Sequence, residues 1–495
     1  MRRHVLGTVK VLLFLLIVAG SIAALTRVFM QKDSVVQLQP FMDSAQEYDV
    51  LFIGDSQVKN SIYPLEMYRD YGIASYNLAS VNSTIPVTYW SFLNALKYCS
   101  PKVVCMTVKD AEMEGKLPAK FEFVHTALDA YPLRGLKLQA ILDLTSNEEK
   151  ETKANYRTEM IFPLMKYHSR WSMLTSSDFE IEYNTEKGAE VVVHVSDPRA
   201  YSLEEEGEYP ESGAGFAYLR KIIEACEARG IQLVLWLPPH PSREKTIQAA
   251  HTAARIAEEY GTPFLDFVEM DRVVDYATDC SDPESHVNPS GGRKLTDFMG
   301  DYLSNNYRLP DRRGESAYAH WDAELQTHID EKIRLLRETT GFRERLMLLH
   351  DSDFSLVLTV RGDMNYRRHS IKNFLHNIVR GHVYEYDDEV SSQLRPLELL
   401  SEASSNGEPY MLIVDREDDA IYEMAGYGEK DVDTAFGEVF CRMDEISIDL
   451  SLTGEDGQEN YYFTSDEEQE EDIRVLVIDR RTNLPVAQFA MSDSQ

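Results

Sequence analysis

The sequence predicts a three-layer α/β domain built on a doubly wound parallel sheet. An N-terminal membrane helix precedes it, and a C-terminal α+β domain rich in strands follows. The first observation is rhythm. Short apolar runs at Tyr48–Ile53, Ala74–Ala79, Lys102–Val108, Ile231–Leu237 and Pro263–Phe267 alternate with helix-like segments, as βαβ units do. The second is burial. The runs at 102–108 and 231–237 are apolar nearly throughout, as expected of parallel strands covered on both faces. The third is the apolar N-terminus, which sets the compartment.

Arg2, Arg3, His4 and Lys10 accompany an apolar stretch from Val5 to Leu25, about twenty residues and so enough for one tilted membrane helix. Positive charge ahead of the run keeps the N-terminus inside and exports the remainder. The expectation is an uncleaved, single-pass cell-membrane anchor over residues 1–28 with extracytoplasmic globular domains. A cleaved signal peptide, with Ala19, Ser21 and Ala23 as small residues near a cut, is the alternative, and it exports the same domains. Residues 29–46 are polar and mixed and read as a tether.

Within residues 47–309, helical patterns cover Pro64–Tyr71 (closed by Gly72), Pro86–Tyr98, Gly215–Arg229 (closed by Gly230), Glu244–Tyr260 and Ser290–Asn305. Residues 110–210 break the rhythm and read as an insertion between the third and fourth strands, a position that often shapes substrate access. After Leu309-Pro310-Asp311-Arg312-Arg313-Gly314 the pattern changes. A charged helix at Trp321–Glu344 precedes strands at Ser355–Val360, Tyr410–Val414, Glu445–Leu452 and Arg474–Asp479, so residues 310–495 form a separate domain with no chemistry-bearing motif.

A net charge of −33 excludes the basic surface that nucleic acid requires. The acidic run Asp466–Asp472 reads as a solvated loop. The five cysteines, among them Cys105 and Cys226 in core-like patterns, show neither a disulfide framework nor zinc spacing. No cofactor fingerprint is present, and no cofactor or metal is expected.

The chemistry concentrates at two segments. Val50–Ile53 stops abruptly at Gly54-Asp55-Ser56-Gln57, a strand whose carboxyl end presents a serine in a tight turn, the edge where open α/β sheets bind and react. Ser56 is the candidate nucleophile, and its alternative role is to cap the next helix. A serine needs a base. His286, in Asp282-Pro283-Glu284-Ser285-His286-Val287-Asn288-Pro289-Ser290-Gly291, is the candidate. A nearby carboxylate would orient its ring. Asp282 is the first choice, with Asp279 and Glu284 open.

These residues resemble the SGNH (GDSL-type) hydrolase superfamily, and more closely its membrane-anchored bacterial branch. That branch includes the SGNH protein of teichoic-acid D-alanylation and polysaccharide O-acetylation proteins. The resemblance covers about residues 45–305 and rests on the anchor, Gly54-Asp55-Ser56, Gly72–Ala79, Tyr167-His168-Ser169-Arg170-Trp171, and His286-Val287-Asn288. It implies a flavodoxin-like sheet with Ser56, His286 and Asp282 as nucleophile, base and orienting acid. The implied activity is acyl transfer to, or ester hydrolysis on, a cell-envelope polysaccharide or teichoic acid, beside a membrane-bound O-acyltransferase partner. Three departures stand out. Ala79-Ser80-Val81-Asn82 lacks the second-block glycine. Val108-Lys109-Asp110-Ala111 replaces the third-block Gly-x-Asn-Asp. Three residues rather than two separate Asp282 from His286. Asn77 and Asn82 are the substitute oxyanion candidates, and His168 is a substrate-site or packing candidate. His240 is expected to line the cleft. The rival class is a non-catalytic envelope scaffold that binds polysaccharide or the acyltransferase.

Overall fold

The computed structural model describes residues 2–146, 150–197, 207–239, 244–268, 270, 273–283, 286–361, 371–380, 397–454, 457–465 and 473–491. The helix Arg2–Phe29 opens the chain, and its apolar side chains from Val9 to Leu25 are exposed. Gly7–Phe29, 23 residues, is long and apolar enough to cross a membrane.

Five parallel strands follow: β1 (Val50–Gly54), β2 (Ser75–Ala79), β3 (Val103–Thr107), β4 (Gln232–Leu237) and β5 (Phe264–Asp266), in the order β2-β1-β3-β4-β5. Alternate side chains feed two cores. Leu51, Ile53, Val104 and Met106 pack beneath helices Ile85–Ala95 and Gly213–Glu227. Val50, Phe52, Cys105 and Trp236 face the helix Pro289–Asn306. Helices therefore cover both faces, which is why β1 and β3 are apolar at successive positions. The chain leaves β1 outward to β2 and returns to β3 on the other side, so the strand order reverses between β1 and β3. Ligand crevices form at such a switch point.

The tether expected at 29–46 is instead a helix, Asp33–Ser44. Leu38 and Phe41 are buried against Tyr48 and Tyr76, and Gln37 Nε2 donates to Asn77 O (3.0 Å) and Ala79 O (2.6 Å). Its apolar residues recur at three-residue spacing beneath a polar surface, which hides a helix in a mixed composition. The insertion contributes the helices Glu122–Leu128 and Gly135–Leu144, whose Val124, Leu128, Ile141 and Leu144 join the first core.

The C-terminal region is antiparallel and rich in strands. One sheet has the order β14-β13-β6-β7-β8, built from β6 (Phe354–Val360), β7 (Tyr410–Asp415), β8 (Ala420–Ala425), β13 (Ile473–Asp479) and β14 (Leu484–Met491). The other has the order β12-β11-β10-β9, with β9 (Gly428–Thr434), β10 (Gly437–Met443), β11 (Ile448–Thr453) and β12 (Glu459–Ser465). Val357, Met411 and Ile478 of the first meet Val439, Cys441 and Leu450 of the second, while helices cover its other face. The charged helix runs over Ala319–Glu338 and breaks before Phe342–Leu348. It lies after the boundary drawn at 309/310 yet joins both cores: Trp321 sits in the first and Ile329, Ile333 and Leu336 in the second.

Buried charges lock this seam. Lys332 Nζ lies 2.5 Å from Glu66 Oε1, 2.7 Å from Asp353 Oδ2 and 3.2 Å from Asp351 Oδ2. Arg293 pairs with Asp351 at 2.8 Å, and Arg69 with Asp353 at 2.5 Å. Burial works against the Glu66 carboxylate, but Lys332, His328 and Arg293 outweigh it and hold it well below the usual range. Asp353 is likewise depressed, with Lys332 and Arg69 overcoming burial. Removing one partner of such a cluster leaves uncompensated buried charge, at about 3–5 kcal/mol. Lys332→Met is therefore expected to lower the melting temperature of the detergent-solubilised chain sharply, and an unchanged melting curve would refute the lock. Because both carboxyls are depressed in the folded state, their stabilisation is complete above their unfolded pKa of about 4 and is lost progressively as pH falls below it. Lys332→Met should flatten that acid limb.

Candidate active site

β1 ends at Gly54, whose φ of 151° no other residue adopts easily. A Cβ there would fall 2.1 Å from Thr107 Cγ2 at the end of β3. The close approach turns the chain sharply, so that the helix Ser56–Ser61 starts directly above the switch point. Asp55, not Ser56, caps that helix: its Oδ1 accepts the Gln57 N–H at 3.1 Å. The capping role that could explain a serine here belongs to its neighbour.

Ser56 Oγ lies 2.8 Å from His286 Nε2, across 230 positions of sequence. On the far side of the ring, His286 Nδ1 is hydrogen-bonded to Asp282 Oδ2. The irregular spacing of acid and base has a geometric explanation. An antiparallel bridge joins Cys280 to Val287, and Ser281 N–H donates to His286 O at 2.9 Å. Across this pairing Asp282 and His286, four positions apart, face each other. Asp279 does not reach the imidazole; Glu284, like His240 and the run 466–472, lies outside the described residues.

Asp279 instead anchors the loop from below. Its fully buried carboxylate accepts from Asp275 N–H (2.8 Å), Thr278 Oγ1 (3.1 Å), Ser290 Oγ (2.7 Å) and Lys294 Nζ (2.6 Å). Burial disfavours the charged form, but Lys294 and His350 outweigh it, so Asp279 stays below the usual carboxylate range. Asn288 caps the helix Pro289–Asn306, accepting from the Ser290 and Gly291 N–H groups, while its Nδ2 donates to Thr278 O at 2.8 Å. At Gly292 a Cβ would meet Asn60 O at 2.6 Å. That contact lets the helix that follows His286 touch the one that begins at Ser56.

Just after β3 stands Lys109, a residue to which the sequence pattern assigns no role. Lys109 Nζ pairs with Asp55 Oδ2 at 2.9 Å, and Asp55 is 4% exposed. Burial lowers the Lys109 ammonium, but Asp55, Asp110 and Asp282 more than compensate and raise it. Asp110 beside it takes a left-handed backbone, φ 62°, the kind of sparsely populated conformation that clusters at functional sites. Burial raises the Asp110 and Glu112 carboxyls.

The oxyanion candidates fare differently. Asn77 is fully buried, and its Nδ2 donates to Ile62 O at 2.8 Å and Val58 O at 3.4 Å. It clamps β2 to the serine helix, which spends its amide in packing. The Ser80 N–H is taken by Gly54 O at 3.2 Å. Asn82 stands exposed in the turn after β2 with φ 50°, a conformation asparagine tolerates well. His168 sits in the turn His168–Ser172 against the N-terminal helix, and its Nδ1 contacts Met165 O at 2.9 Å. No protein-family model matches this chain, and no curated protein matches it.

Two substitutions probe this scaffold. Gly54→Ala forces either β3 or the serine turn to move and is expected to cost about 1–3 kcal/mol, read as a lower melting temperature. Asp279→Asn keeps the shape but leaves the partly buried Lys294 without its counter-ion, at up to about 3–5 kcal/mol. It should also slow reaction of Ser56 with a fluorophosphonate. Unchanged labelling by that variant would refute the role of Asp279 in holding His286.

Proposed function

We propose that this chain is a membrane-anchored serine acyltransferase or carboxylic-ester hydrolase acting on a cell-envelope polysaccharide or teichoic acid. The observation that carries the reading is the 2.8 Å approach of Ser56 Oγ to His286 Nε2 with Asp282 on the opposite ring nitrogen. In that arrangement His286 takes the hydroxyl proton as Ser56 attacks an acyl carbonyl. The proton then passes to the leaving group as the tetrahedral intermediate collapses to an acyl-serine. In the second half His286 deprotonates a sugar, polyol or water hydroxyl, which attacks the ester and releases Ser56. Asp282 holds the tautomer and stabilises the imidazolium. The Ser56 backbone N–H, at the start of its helix, is the natural first oxyanion donor.

The positive N-terminal flank supports a site outside the membrane. Proximity to the bilayer is supported by Gln37, which joins the segment just after the anchor to the carboxyl end of β2. A groove of ≈ 470 Å³ opens there, lined by Asp33, Gln37, Lys59, Ser80 and Val81 among others. Such a position suits an acyl group handed over at the membrane by an O-acyltransferase partner. A second reading, a non-catalytic scaffold for the polymer or that partner, is favoured by Lys109 standing in place of a side-chain amide and by the Ser80 N–H already being bonded.

A fluorophosphonate probe separates the two. The enzyme reading expects labelling of the wild-type chain that Ser56→Ala abolishes and that Asp282→Asn slows by on the order of 10³–10⁴. An unlabelled wild-type chain, folded and in the membrane, would overturn it in favour of the scaffold.

A further inference from the structure

The insertion carries an apolar surface that neither the fold nor the site uses. Between residues 162 and 179, Phe162, Met165, Trp171, Met173 and Phe179 are 58–72% exposed. Exposed apolar clusters of this size mark interaction sites on soluble domains. The segment is firmly held. Buried Tyr167 donates to Asp129 Oδ2 at 3.1 Å. Arg170 pairs with Asp178 at 2.9 Å, and Thr175 and Asp178 form a reciprocal cap. The protein thus fixes these side chains outward on an ordered turn.

Their place is beside the exit of the N-terminal helix. Arg170 Nη1 donates to Phe29 O at 2.5 Å. Lys32 Nζ donates to the last carbonyls of that helix, Arg27 O and Val28 O at 3.0 Å, and pairs with Asp178 at 3.5 Å. Gly7–Phe29 has 23 residues, about 34 Å at 1.5 Å per residue, which matches a hydrocarbon core of about 30 Å. With Lys10 near one face and Arg27 near the other, Phe29 falls at the outer headgroup boundary. Whatever is bonded to Phe29 lies at the same depth. Tryptophan with adjacent cations, here Lys166 and Arg170, is the composition that settles at that boundary.

We infer that the turn 162–179 is a second membrane contact, a shelf whose Trp171, Met165 and Phe179 enter the outer headgroup region beside the anchor. It fixes the tilt and height of the domain, and with them the groove at the end of β2. The bilayer is the favoured occupant because the patch lies on the segment that is hydrogen-bonded to the end of the membrane-length helix. The net charge of −33 opposes electrostatic adhesion to anionic lipid, so the contact is apolar. The inference rests on Gly7–Phe29 being an uncleaved anchor.

Trp171 supplies the probe, since Trp90, Trp236 and Trp321 are all 9% exposed or less. The full-length chain is reconstituted into vesicles of phosphatidylcholine and phosphatidylglycerol whose acyl chains are brominated near the headgroup. Bromine is expected to quench tryptophan emission, aqueous iodide to quench it weakly, and Trp171→Phe to remove most of the bromine effect. Met165→Glu with Phe179→Glu should reduce bromine quenching and raise iodide quenching. Iodide quenching without bromine quenching, in a chain that resists carbonate extraction, overturns the shelf and leaves the anchor standing. Protection from both quenchers overturns the lipid assignment in favour of a protein, including a second copy. An intact mass lacking the N-terminal helix overturns anchor and shelf together.

Discussion

The buried carboxylate of Asp279 is the constraint on which the site depends. It has no solvent to hydrate it, so each of its lone pairs must find a donor or its charge becomes prohibitive. The donors come from both ends of one loop: the Asp275 N–H and Thr278 before it, Ser290 and Lys294 after it. Satisfying one ion therefore draws Asp275 and Thr278 together with Ser290 and Lys294. The Cys280–Val287 bridge then holds Asp282 and His286 at the mouth of the loop. Buried ion pairs contribute little net stability, but they penalise every arrangement in which they are broken. Here the disfavoured arrangements are those that would swing His286 away from Ser56.

The C-terminal region enters through the same constraint. His350 Nδ1 lies 2.9 Å from Ser290 Oγ, Asn377 bonds both Lys294 (3.1 Å) and Thr278 Oγ1 (2.7 Å), and Arg343 donates to Ala277 O at 3.0 Å. Together with the Lys332 cluster, these contacts make that region a brace pressed against the back of the histidine loop. A region without a chemistry-bearing motif of its own thus bears on the proposed reaction through the position of a base. Changes along this seam would alter the Ser56–His286 geometry without touching either residue, as a displacement of about 1 Å is enough to matter for a reacting pair.

What the sequence makes legible follows from locality. β1, β3 and β4 are visible because both of their faces are buried, so their residues are apolar in succession. The serine turn is visible because Gly54 interrupts such a run. β8, β9 and β12 escape notice because their side chains are partly exposed or polar, and half-solvated hairpins carry no continuous apolar signal. The helix Asp33–Ser44 is hidden by its polar face. The choice of Asp282 over Asp279 could not be read from spacing, since it depends on a bridge between residues seven apart and on donors from Ser290 and Lys294. The brace is illegible for a stronger reason: its contacts join positions 60 to 99 residues apart, and no local pattern marks them.

Lys109 shows how one such long-range contact changes the chemistry to be expected. Asp55 is placed by the helix it caps, one residue from Ser56, and its buried charge would oppose an oxyanion developing on the substrate. Lys109, just after β3, offsets that charge at 2.9 Å, and the surrounding carboxylates raise its ammonium pKa. A neutral amide at this position could donate a hydrogen bond to an oxyanion, but it could not neutralise Asp55. The two solutions are therefore not interchangeable. An amide suits a site where the cap carries no charge penalty. A lysine suits one where the capping carboxylate must be offset before backbone donors can act on the intermediate. The lysine after β3 is thereby coupled to the burial of Asp55.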